Sequence, residues 1–122
     1  MANLTPTLTL TSTNATTDSL SISVTDSLSI AEPIVASARV SVLHTASTVI
    51  VADATSAGTV YTYLNNTDST NFVSVKNDAG NLIGKLNPGE FCFLPVDTNG
   101  GGLEVQADTA SCIVEYATFT KS

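Results

Sequence analysis

The chain has 122 residues, 43% of them hydrophobic, and a formal net charge of −7. That length buries about two-thirds of the surface its unfolded form would expose, enough for one domain with a sizeable core. Arg39, Lys76, Lys85 and Lys121 are the only cations and no run approaches a bilayer span, so neither nucleic acid nor a membrane is an expected partner.

The opening "MANLTPTLTL" has neither a basic stretch nor a continuous apolar one of the kind that marks an export signal, so residence in a cytosol is expected. Threonine and serine make up 33 of the residues, which favours strands and turns over helices. Leu4, Leu8 and Leu10, then Leu20, Ile22 and Val24, then Leu28 and Ile30 all hold even positions, with Thr or Ser at nearly every odd position between. Period two over such a length predicts half-buried antiparallel strands, with "TSTNATTD" as the loop between the first two runs. Residues 1–30 form either an arm that pairs with a neighbouring chain by β-augmentation, anchored by Leu4, Leu8 and Leu10, or edge strands of the chain's own sandwich.

Pro33 interrupts the pattern, and "ARVSVLHT" and "STVIVADA" resume it as two strands. "TVYTYLN" from Thr59 to Asn65 is the next strand, closed by "NTDST". "NFVSVK" and "NLIGKL" flank "NDAG", the signature of a hairpin. In "LNPGEFCFLPV", Pro88 presets the first central position of a type II turn and Gly89 accepts the positive φ of the second, so a strand leaves at Glu90. Phe91 and Phe93 then share one face and Cys92 and Leu94 the other, and Pro95 either stops the pairing or places it at a sheet edge. A strand apolar on both sides needs two covers, either a second sheet and a loop or another chain. "DTNGGG" reads as a hairpin loop before "LEVQA", and "CIVEYATF" closes the chain. The fold class is therefore all-β: a single antiparallel β-sandwich over residues 31–122, jelly-roll-like, preceded by the 1–30 segment, with an up-and-down barrel as the alternative.

Candidate chemistry is sparse. His44 is the only histidine, no nucleophile elbow accompanies it, and the alternation from Val40 and Val42 directs it to the inner face near a strand end. Cys92 and Cys112 match no zinc spacing and are expected as reduced core thiols. Asp97, Asn99, Gly102 and Asp108 fall on a calcium-loop template, but Glu104 stands where that template requires an apolar residue and no helices flank it. The acids are scattered singly, as on a solvated surface. No catalytic residue, cofactor or metal site is expected.

"VYTYLNNTDSTNFVSV", "GKLNPGEFCFLPV" and "LEVQADTASCIVEYATF" together resemble small structural proteins of tailed bacteriophages, particularly marine and cyanobacterial ones. The shared features are a "YxYxxN" strand, an "L-x-PGE" turn and a closing "VEY" strand, over about Val60 to Phe119. The resemblance implies a jelly-roll-like virion protein, assembled in the host cytoplasm and without enzymatic activity, in which Leu86 to Val96 is framework. Its most direct reading is a capsid decoration or cement protein whose partner is the major capsid protein, as a homo-oligomer for which a trimer is one option. A tail, neck or fibre component and a carbohydrate-binding module are the competing classes. Interface candidates are Leu4, Leu8 and Leu10 in the first segment and Tyr61, Tyr63 and Phe72 in the sandwich, drawn from a pool that includes Phe91, Phe93 and Phe119. At least half of the aromatic pool is expected to be core.

Overall fold

A computed structural model describes residues 2–31 and 36–122, and the interruption expected at Pro33 lies outside them. The chain forms two compact units, Met1–Glu32 with Ser122, and Pro33–Lys121.

The first unit is an antiparallel ribbon. Strand β1 (Ala2–Leu4) pairs with β4 (Leu28–Ile30), and β2 (Thr7–Ser12) pairs with β3 (Leu20–Thr25). Ala2 faces Ile30, Leu4 faces Leu28, Thr7 faces Thr25 and Ser12 faces Leu20, so one register runs through both segments. Pro6 has no N–H to give, yet its carbonyl accepts from the Asp26 N–H at 3.2 Å and carries the ladder across the interruption. At the tip, the Ser12 hydroxyl accepts from the N–H groups of Asn14 (3.3 Å) and Ala15 (3.0 Å) and turns the backbone. Because even residues face even residues, period two becomes a sided ribbon, aliphatic on one face and hydroxyl-bearing on the other. Ser122 joins this unit, its N–H donating to the Ser29 carbonyl at 3.2 Å.

The second unit contains two four-stranded sheets. One has the order β10 (Phe91–Asp97), β7 (Thr59–Asn66), β12 (Cys112–Thr120), β5 (Ala36–Val42). The other has the order β6 (Thr48–Val51), β11 (Leu103–Ala107), β8 (Val73–Lys76), β9 (Leu82–Leu86). Every assigned pairing is antiparallel, and apart from the β8–β9 hairpin each strand crosses to the opposite sheet from its predecessor. This is the wiring of an eight-stranded jelly roll. Even-numbered residues of the first sheet point inward, among them Val42, Leu64, Val96, Cys112 and Val114. They meet Val51, Val73, Val75, Leu86, Leu103, Val105 and Ala107 from the second.

A buried asparagine ties the layers. Asn66 is fully enclosed at the end of β7, where its Nδ2 donates to the Leu86 and Asn71 carbonyls, both at 3.0 Å, and its Oδ1 accepts from the Asp68 N–H at 3.1 Å. The connection from β9 to β10 is the type II turn: Glu90 N–H donates to the Asn87 carbonyl at 3.0 Å, and Gly89 has φ 80°. The strand beyond it begins at Phe91, one residue later than the turn alone predicts, and β10 is a sheet edge with Pro95 inside it.

Two expectations are corrected. "DTNGGG" is not a hairpin loop, since β10 and β11 lie in different sheets. Asp97 caps a three-residue 3-10 turn (Thr98–Gly100) by accepting from the Asn99 N–H, and the chain then crosses over at Gly101 and Gly102. His44 is not on the inner face, because β5 ends at Val42 and the following bend exposes the ring. The backbone carbonyl of His44 accepts from Gln106 Nε2 at 2.8 Å.

Candidate interaction surfaces

The outward face of the β10-β7-β12-β5 sheet is built from odd-numbered residues. Cross-strand register sets Pro95 beside Tyr61 and Tyr61 beside Phe119. The next row runs Phe93, Tyr63, Ala117 and Ser37, and the next Phe91, Asn65, Glu115 and Arg39. Five of the seven aromatic residues in the chain therefore share one sheet face. Within it, Tyr61 and Phe93 stack with ring centroids 6.2 Å apart and planes at 12°. Tyr61 is 6% exposed, whereas Phe93 is 39% and Phe91 66% exposed, so the apolar character rises toward the open edge strand β10.

Polar groups border the aromatics. Tyr63 Oη donates to Glu115 Oε1 at 3.3 Å, and Arg39 Nη2 lies 3.6 Å from Glu115 Oε2. Small side chains at Ser37 and Ala117 leave a depression of about 260 Å³ between Tyr63, Arg39 and Glu115. The outward face of the other sheet is mixed and has no aromatic cluster, carrying Ser74, Lys76, Lys85, Glu104 and Gln106 beside the exposed Val49 and Leu82. Phe72 lies on that side, with the Lys85 ammonium 4.2 Å from its ring centroid, and is separated from the other candidates.

The ribbon supplies a second surface in its own unit. Leu4 is half-buried, while Leu8 and Leu10 are exposed on the aliphatic face opposite Val24 and Ile22, which are exposed too. Thus Tyr61 and Tyr63 fall on one surface, Leu4, Leu8 and Leu10 on another, and Phe72 on neither. Phe91 and Phe93 are the most outward members of the aromatic face. Their signal lay in the strict alternation of "FCFLPV", which allots them a side without saying what lies opposite.

The ionisable groups offer little for chemistry. Cys92 is half-buried, Cys112 is buried, and both are free thiols. Cys92 faces Leu64, which faces Tyr116, and Cys112 is four residues further along, so the two are roughly 15 Å apart and cannot form a disulfide. Burial pushes both thiols up, with the Asp68 and Asp108 carboxylates adding to the effect at Cys112. Asp68 is held below the usual carboxylate value because it accepts from the Asn71 and Thr70 N–H groups. Among the described residues no three His, Cys, Asp or Glu side chains gather closely enough to hold a metal ion, and no helix is long and apolar enough to cross a membrane. Compared with known proteins, the chain matches no family model, no curated protein and no solved structure.

Proposed function

We propose that this chain is a non-enzymatic structural protein of a phage virion, a decoration or cement protein that binds the major capsid protein and reinforces the shell. The observation that carries the reading is the outward aromatic face of the jelly roll, where Phe91 and Phe93 expose apolar rings on an edge strand already packed on its inner side. Aromatic side chains that are solvated in the monomer and rimmed by polar groups suit the desolvated centre of a protein interface. Jelly rolls recur in viral capsid proteins, which supports the reading by analogy of fold. The acidic surface keeps the free protein soluble and would meet basic patches on a shell.

Co-sedimentation of the purified chain with purified capsid shells tests this. Binding is expected to be saturable and to weaken at least tenfold in Phe91→Ser and Phe93→Ser, with the melting temperature nearly unchanged in Phe91→Ser, whose ring is exposed, and lowered by several degrees in Phe93→Ser, whose ring stacks on Tyr61. Failure of the folded wild-type protein to bind shells would overturn the proposal. The depression beside Tyr63 favours one second reading, a carbohydrate-binding module, since an aromatic wall with a carboxylate and a guanidinium at hand suits a sugar ring. Binding to soluble glycans, abolished by Tyr63→Ala and absent for shells, would decide for it.

A further inference from the structure

The aliphatic face of the ribbon is a second exposed apolar surface. An isolated two-stranded sheet is marginal in water, and no third strand pairs with this one among the described residues. Yet Leu8, Leu10, Ile22 and Val24 stand side by side on it with 42–56% of their surface exposed. No charged residue occurs from Thr7 to Thr17 or from Ser19 to Thr25, although the chain as a whole carries −7. A basic partner would gain nothing electrostatic there, whereas two copies of this uncharged stripe can meet without opposing like charges within it.

We infer that the ribbon is a self-association surface, on which two copies of this chain stack their aliphatic faces about a two-fold axis parallel to the strands. That axis lays β2 of one copy over β3 of the other. Leu8 then meets the partner copy's Val24 and Leu10 its Ile22, so each long side chain covers a β-branched one, as in the core of a two-sheet sandwich. Asp26, which pairs with Pro6 in the ladder, comes over the partner copy's Pro6 and not over its own counterpart. From Ala2 to Ser12 the ribbon is about 35 Å long and, with two strands, about 10 Å wide. The two faces together therefore cover roughly 700 Å², less than the ~1,000 Å² of a stable complex, which makes the pairing reversible and concentration-dependent. It does not depend on what the sandwich binds.

Sedimentation velocity of the full chain from about 10 μM to about 1 mM tests it. The weight-average mass is expected to rise from that of the 12.6 kDa monomer toward a dimer. Leu10→Asp should remain monomeric throughout, while Thr9→Asp, on the opposite face, should dimerise within about threefold of wild type. Isotope-filtered nuclear Overhauser spectra on a mixed labelled and unlabelled wild-type sample need no variant, and should show intermolecular contacts between Leu8 and Val24 methyls. A wild-type monomer at the highest concentration, a trimer, or equal effects of the two substitutions would overturn the inference. Loss of shell binding with dimerisation intact would instead count against the proposed function alone.

Discussion

Replacing Asn66 by leucine keeps nearly the same volume while deleting three hydrogen bonds at the junction of the two sheets, so it isolates their contribution. Asn66 Nδ2 bonds the Leu86 and Asn71 carbonyls at 3.0 Å each, and Oδ1 bonds the Asp68 N–H at 3.1 Å. The Leu86 carbonyl belongs to a buried residue, and losing this donor costs about 1–3 kcal/mol. The other two groups are only partly buried and can turn to water, so each loses about 0.5–1.5 kcal/mol. The added apolar surface of leucine returns about 1 kcal/mol. The expected net loss is therefore about 3 kcal/mol, a fall in melting temperature of roughly 12–24 °C for a unit of this size. Urea denaturation followed by far-ultraviolet circular dichroism measures it, with Asn66→Asp as companion. The aspartate keeps an acceptor but buries a charge and loses both donors, so it should be worse than leucine. A loss below about 1 kcal/mol for leucine, or aspartate tolerated better than leucine, would refute the argument that this side chain joins the layers.

Gly102→Ala is expected to destabilise by about 3 kcal/mol or more in the same assay, because φ is +65° and an added Cβ would lie 2.2 Å from the Val51 carbonyl oxygen, whereas Gly89→Ala, with φ +80° and open space around it, should cost only about 1–2 kcal/mol. In the native state at pH 8, iodoacetamide should label Cys92 slowly and Cys112 more slowly still, and both should react at once in denaturant without reductant; a chain that stays unlabelled when denatured would reveal a disulfide. Asp68 has a lowered folded-state pKa, so its turn contributes stability that is present above the unfolded value near 4 and is lost as pH falls through the folded one. Melting curves from pH 6 downward should therefore show a smaller acid-side loss in Asp68→Asn than in the wild type, and parallel curves would contradict this role.

Much of the architecture could be read from local pattern. The alternation in "LTLTS" and "SLSISV", the Pro-Gly turn before Phe91 and the "NDAG" hairpin each depend on neighbouring residues alone, so chemistry at that range decides them. Partner choice could not be read. Period two says that Leu8 and Leu10 share a face, and it is equally compatible with a neighbouring chain, the sandwich or β3; the ladder pairs them with Val24 and Ile22. The glycine loop after Asp97 misled for a similar reason, because a turn signal does not say whether the next strand pairs with the last or crosses to another sheet. At the aromatic face, Tyr61, Tyr63, Phe91, Phe93 and Phe119 all hold odd positions, yet they converge only because β7 lies between β10 and β12. His44 departed from the pattern because alternation holds only while the strand lasts, and β5 stops at Val42.

The proposed place of this chain, as a virion component bound to the capsid shell, stands or falls on its stoichiometry. Quantitative mass spectrometry of purified phage particles whose genome encodes the chain would count it against the major capsid protein. A decoration protein should be present at a fixed small-integer ratio to capsid subunits that persists through repeated purification. Absence from the particles would contradict it, and a handful of copies per particle would transfer the chain to the tail or neck.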